Sequence, residues 1–334
     1  MRARSILLIV LAAGCGVAPT VRAATSPDTP SRVVVFAGTC DASGAVPIDA
    51  RLFAVADDEN NLLRIYDAEH GGAPLAEVDV SDALHPTTRE RPEADLEAAT
   101  RVGDVALWLS SHARSQEGRS EPDRFRFLST NVPQPGQPIV LRGPAYRGLL
   151  QDLLAEPRLR PFGLHVAAEK APEAAGGLNI EGMTAMPDGR VLLGFRNPIP
   201  DGQALLVALL NPLEPFSGTP LRFGDPVRLD LQGLGVRALS FWHGRYLIAA
   251  GHHAGSRASR LYEWDGPGNA PKSQSGGAMP AAFNPEAFFT PEERDEFMVL
   301  SDDGSRIIDG QRCKDHRDSG PKRFRGVWMT LDSK

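Results

Sequence analysis

Three glutamates recur in near-identical surroundings: Asp95-Leu96-Glu97-Ala98, Asn179-Ile180-Glu181-Gly182 and Asn284-Pro285-Glu286-Ala287. About fourteen residues after each comes an apolar run that stops abruptly at polar residues, as in Trp108-Leu109-Ser110-Ser111, and repetition of this kind marks a fold built from equivalent units. Two further copies carry Ser43 and Arg237 where the glutamate would stand. The runs end at Asp57 and Asp58, Ser111 and His112, Arg196 and Asn197, Ala250 to His252, and Asp302 and Asp303. Carboxylates gathered at one place repel one another unless compensated. Calcium is a fitting compensator because it accepts many oxygen ligands in irregular geometry, with Asp57, Asp58, Asp302 and Asp303 as the expected metal ligands. Glu97, Glu181, Glu286, Arg196, Arg237, His112 and Asn197 are then the expected ligand-binding set. Arg196, Arg237 and His112 could instead pair with the acids or grip an anionic group.

The elements that must position these residues are short runs rich in Val, Ile, Leu, Phe, Tyr and Trp, bounded by Gly, Pro, Asp and Asn, which read as strands. Five copies recur about every fifty residues, one step being about thirty longer, and most copies contain three or four such runs. Four antiparallel strands per unit, repeated radially, make a β-propeller. We therefore expect an all-β chain with five four-stranded blades, or six if the long step hides another. The fifth copy lacks a fourth strand and the chain opens with an orphan one, Arg32–Ala37, whose pairing with Phe324–Leu331 would close the ring and remove an exposed edge. The expected domain spans 32–332, with a helical insertion or lid at 143–177 where Leu149, Leu150, Leu153 and Leu154 follow helical spacing. Alternation of strand direction brings the starts of the first strands and the ends of the second to the same face. Both polar sets thus meet at one mouth of the central channel. A polar residue at this place in every blade can equally serve to satisfy backbone and pin blades together.

Residues 1–23 read as an export signal: a basic start at Met1-Arg2-Ala3-Arg4, an apolar stretch from Ile6 to Ala13, and small residues at Val21-Arg22-Ala23, with 24–31 as linker. Leu11-Ala12-Ala13-Gly14 before Cys15 supports a rival reading, a lipid anchor on that thiol. Either places the domain in the periplasm or outside the cell. Apart from this leader no stretch approaches the about 18 apolar residues of a membrane span. The formal charge of −6 becomes more negative once Arg2, Arg4 and Arg22 leave with the signal, which argues against nucleic acid as a partner. Cys40 and Cys313 remain, one after the orphan closing strand and one in the loop before the strand it pairs with, on the same face of the same blade, where an oxidising compartment permits a disulfide.

Other motifs are weak. Ser110, Ser111 and His112 place a nucleophile beside a base, but neighbouring strand residues point to opposite faces. His252-His253 could supply one metal ligand. There is no Gly-x-Ser-x-Gly, His-Glu-x-x-His, Cys-x-x-Cys, phosphate-loop or dinucleotide signature.

In Ala56-Asp57-Asp58-Glu59-Asn60-Asn61, Asp95-Leu96-Glu97, Gly177-Leu178-Asn179-Ile180-Glu181-Gly182 and Gly194-Phe195-Arg196-Asn197-Pro198, the chain resembles a bacterial family of exported β-propellers of unknown function. That family is in turn similar to phytase-like and esterase-like propellers, in which carboxylates around the channel bind calcium and substrate phosphate. The expected function is a metal-assisted hydrolase of a small phosphoester, ester or lactone at the channel mouth, and a monomer is expected. The alternative is a propeller that binds a ligand or an envelope protein without catalysis. Trp108, Trp242, Trp264 and Trp328 all fall in expected strands and read as core rather than as a binding patch.

Overall fold

The computed structural model describes residues 32–84, 93–255, 259–274, 279–280 and 282–331. The expected signal, linker and Cys15 anchor lie outside these residues. The strand-forming runs pair into five antiparallel sheets. Blade 1 runs outward through Gly44–Pro47, Leu52–Ala56, Leu62–Asp67 and Ala76–Asp79. Blade 2 comprises Leu96–Val102, Val105–Ser110 and Phe127–Asn131, with Leu141 bridging to Thr130 at its outer edge. Blade 3 holds Asn179–Ala185, Val191–Asn197, Ala204–Leu209 and Val227–Leu229. Blade 4 holds Gly235–Trp242, Arg245–Gly251 and Arg260–Trp264, and its outermost strand is only Lys272–Ser273. Blade 5 joins Pro285–Phe289, Phe297–Ser301 and Arg323–Met329 to the first strand of the chain, Val33–Ala37, paired antiparallel with Val33 opposite Val327. The innermost strands neighbour one another from blade 1 to blade 5 and back to blade 1. The molecule is a five-bladed β-propeller.

The extra length between blades 2 and 3 is not a sixth blade. It folds as a helix, Leu149–Ala155, then a 3₁₀ segment, Pro157–Phe162, and a single turn, Leu164–Ala167. Leu149, Leu153, Leu159 and Leu164 are buried with Phe127, Phe195 and Leu205, so the helical part seals the flank between blades 2 and 3. Only the turn that follows it reaches the channel.

Two devices hold the inner ring. The first is small size. Each polar position at the channel is followed by a small residue: Gly44, Ala98, Gly182, Ala238 or Ala287. The inner strands converge so closely that a Cβ on Gly182 would stand 2.6 Å from Val236 Cγ1, and one on Gly44 2.9 Å from the Ala98 carbonyl carbon. The second is a set of hydroxyl pins between blades. Ser43 Oγ donates to Leu96 O (2.5 Å), Ala185 N to Thr100 Oγ1 (2.7 Å) and Phe241 N to Thr184 Oγ1 (2.7 Å), while Ser240 and Thr290 pair at 2.8 Å. Three of these four pins stand at the far end of the inner strands from the glutamates.

Cys40 and Cys313 form a disulfide with Cα atoms 5.9 Å apart, joining the loop after the first strand to the segment before Arg323–Met329. Such a bond fits an extracellular or periplasmic protein. Among the described residues no helix is long and apolar enough to cross a membrane.

Candidate functional site: an acidic channel mouth

Glu97, Glu181, Arg237 and Glu286 share a backbone irregularity. Each sits where the register between the first and second strands of its blade slips: Leu96 faces Ser110 but Ala98 faces Leu109, and the same slip occurs at Ile180/Gly182, Val236/Ala238 and Pro285/Ala287. A β-bulge inserts one residue, bends the strand and re-aims a side chain out of the sheet's alternation. Here it turns four equivalent side chains toward one end of the channel.

They open on a cavity of about 270 Å3. Among the described residues its lining carries ten carboxylates (Asp41, Asp58, Glu59, Glu93, Asp95, Glu97, Glu173, Glu181, Glu286, Asp302) and four cations (Arg124, Arg196, Arg237, Lys314). Some of the acids are spoken for. Glu181 accepts from Arg196 Nη1 and Asn179 Nδ2, both at 2.7 Å, and Glu286 from Arg237 Nη2. Arg124 bridges Glu93 (3.0 Å) and Asp95 (3.3 Å), and Lys314 pairs with Glu59 at 3.0 Å. Asp302 accepts from Asn284 Nδ2 and Gly304 N, both at 2.8 Å. Asp58 and Glu97 have no hydrogen-bond or ion-pair partner among the described residues.

The electrostatics follow from this imbalance. Burial, then the charges of Asp57 and Asp302, holds the Asp58 carboxyl well above the usual range. Burial, then Glu181, Asp95 and Asp58, does the same to Glu97. Glu286 is raised by burial despite the Arg237 guanidinium beside it. Asp41, buried and close to Asp58, is pushed up to about 12 and hydrogen-bonds Asp302. Burial works against the Asp302 carboxylate, but that bond from Asp41 and the nearby Arg237 leave it below its ordinary value. Glu93 is raised to about 7, by burial first and then by Asp95.

Three trios of carboxylates have oxygens within 4.8 Å of one another: Asp41, Asp57 and Asp58; Asp58, Asp95 and Glu97; and Glu97, Glu181 and Glu286. Not every residue expected at the mouth belongs to it. Asp57 is engaged by Arg64 (3.0 Å), Asn60 (2.6 Å) and Thr39. Asp303 does not line the cavity; its carboxylate takes two bonds from Arg325, at 2.6 and 2.7 Å. Asn197 donates to the carbonyls of Pro172 (2.7 Å) and Ala174 (2.8 Å), and so fixes the turn whose Pro172 and Glu173 wall the cavity. His112 is buried away from the cavity, its Nδ1 donating to Ser110 O at 2.8 Å. Arg196, Arg237 and the three glutamates are gathered as expected. Sequence reasoning missed Asp41, Glu93, Arg124, Glu173 and Lys314 as members of the site. For Asp41 and Lys314 a signal existed, since each directly follows a cysteine of the expected disulfide.

A second cavity, of about 680 Å3, occupies the other end of the channel, with Thr100, Thr184, Ser240 and Thr290 in its wall. Ser43, Glu181 and Glu286 border both cavities and form the floor between them.

Residues 141–278 match a family described as protein of unknown function (DUF3616). No curated protein matches the chain. Solved structures similar in shape include the PQQ-bound aldose sugar dehydrogenase of Streptomyces coelicolor, at 14% identity and a TM-score of 0.44, covering 90% of this chain and 99% of that one. A GH43 β-1,3-galactosidase with galactodeoxynojirimycin gives 11%, 0.49, 88% and 91%. Myxococcus xanthus glutaminyl cyclase gives 12%, 0.43, 91% and 100%. At this distance the likenesses carry no chemistry over to the chain.

Proposed function

We propose that this propeller is exported and hydrolyses a small phosphoester, ester or lactone with calcium held at its acidic mouth, working as a monomer. The supporting observation is the excess of carboxylates over cations in a cavity where Asp58 and Glu97 make no ion pair or hydrogen bond with the described residues. The donor set is all oxygen, as a hard cation requires. Asp58 Oδ1, Glu181 Oε2 and Asn179 Oδ1 are buried acceptors without a hydrogen bond, and such atoms ordinarily have partners. Asp58, Asp95, Glu97, Glu181 and Glu286 would hold the ion. When bound, calcium supplies polarisation of a substrate oxygen.

The chain's own groups suit the remaining tasks. Arg124, Arg196 and Lys314 line the same cavity and present N–H donors to an anionic group. Glu93, with its pKa near neutrality, is suited to take a proton from an attacking water. Pro172 and Ala113, from two different loops, also line the cavity. A volume of about 270 Å3 lies just under the usual range for drug-sized ligands, roughly 300–1,000 Å3, which favours a small substrate.

A panel of phosphoesters, esters and lactones, assayed with calcium and with chelator, tests this reading. Turnover should require calcium and fall at least a hundredfold in Glu93→Gln. Calcium binding without turnover on any class would favour the ligand-binding alternative.

A further inference from the structure

The overlap of the three carboxylate trios says how many cations the mouth is built for. Calcium–oxygen distances of about 2.4 Å put opposing ligands about 4.8 Å apart, so each trio is within the span of one ion. The trio of Asp41, Asp57 and Asp58 is already engaged from within, because Asp57 is held by Arg64, Asn60 and Thr39. The other two, Asp58–Asp95–Glu97 and Glu97–Glu181–Glu286, have Glu97 in common. Each contains a buried oxygen of a cavity-lining residue that makes no hydrogen bond: Asp58 Oδ1 in one and, 3.8 Å from Arg237 Nε, Glu181 Oε2 in the other. Glu181 is only 2% exposed. Beside it stands a third such oxygen, Asn179 Oδ1, because the Asn179 amide group is turned so that its nitrogen serves Glu181. A neutral acceptor held open next to three acids is a ligand for a cation, since no donor in the protein meets it.

We infer that the mouth binds two divalent cations at once, bridged by the Glu97 carboxylate, one completed by Asp58 and Asp95 and the other by Glu181, Glu286 and Asn179. This rests on the reading of the mouth as a calcium site and adds its stoichiometry and its bridge. A carboxylate shared by two ions has one oxygen for each, and paired ions about 3.5–4 Å apart are the arrangement that clamps both ends of a displacement at phosphorus or carbon. Two such ions would bring four positive charges to a lining that holds six more carboxylates than cations. Magnesium fits less well, because its shorter bonds and strict octahedron leave fewer positions for this many carboxylates.

Native mass spectrometry and calorimetric titration of the mature chain with calcium alone give the count. Wild type should take up two ions. Asp95→Asn should retain one, as should Glu181→Gln, while Glu97→Gln should lose one ion and weaken the other at least tenfold. Asp95→Asn suits its backbone, since residue 95 has φ of +55° and Asn tolerates that region. If Glu97→Gln does not fold, Glu97→Asp, which shortens the bridge, should still lower the count below two. One ion in wild type, or two in Glu97→Gln, would overturn the bridge and leave the calcium reading standing. No calcium at all would overturn both.

Discussion

Asp58 and Glu97 are buried carboxylates without an ion pair among the described residues, and burial favours their protonated forms unless a cation binds. The sign follows from linkage. Their folded pKa values lie above the unfolded ones, so the metal-free protein is favoured below about pH 4 and loses that contribution as the pH rises. His112 works in the other direction. Burial lowers it to about 4, so its contribution is complete above the unfolded value of about 6.5 and is lost as the pH falls through 4. His112 also has φ of +54°, which Asn accepts more readily. Replacing it with Asn keeps an N–H donor for Ser110 O and removes the titration. His112→Asn should therefore be more resistant than wild type to urea at pH 5, with the gap closing by pH 7.5. The gap should be about 2 kcal/mol, because each tenfold weakening of proton binding on folding is worth about 1.4 kcal/mol. Equal urea midpoints at both pH values would show that His112 does not titrate as its burial implies. At this scale the sequence was only half legible. The repeated glutamates were visible because their neighbours repeat. Whether a given acid had already been captured was not visible: Asp303 sits beside Asp302 in the chain, yet Arg325, twenty-two residues on, takes its carboxylate.

The blades carry a different lesson. Strand-forming runs and their turns are local, so the positions of the five blades could be read directly. The bulges that aim Glu97, Glu181, Arg237 and Glu286 depend on pairing between strands, which periodicity does not record. The insertion reads as a lid from its leucine spacing, but the same leucines are what bind it to the flank of blades 2 and 3. Between blades 4 and 5 the bulged positions hold a buried ion pair, Arg237 with Glu286, at 3% and 5% exposure. Removing one member of such a pair leaves a buried charge behind. In chelator at pH 8, Arg237→Met should cost about 3 kcal/mol by urea unfolding, and less at pH 5, where Glu286 can take up a proton because its pKa is raised. An equal loss at both pH values would mean that packing, not the charge left on Glu286, sets the cost.

The whole molecule is a ring closed twice, by the pairing of Val33–Ala37 with Arg323–Met329 and by the disulfide from Cys40 to Cys313. The second closure also builds the site. Asp41 and Lys314 follow the two cysteines, so the bond that links the loops brings an acid and a cation together into the wall of one cavity. Ring closure gathers residues from all five blades and their loops at one mouth, and hydroxyl pins, most of them at the other end, relieve the glutamates of the main structural duty. The central claim is that these acids are there for a cation. Thermal unfolding in calcium and in chelator, for wild type and Glu97→Gln, tests it most directly. Calcium at a hundred times its dissociation constant contributes about 2.7 kcal/mol for each ion bound, which should raise the wild-type melting temperature by at least about 5 °C. Glu97→Gln should lose most of that response and be at least as stable as wild type in chelator, having shed an uncompensated charge. A wild type indifferent to calcium, together with a mutant that melts several degrees lower in chelator, would contradict the claim and make Glu97 a structural pin.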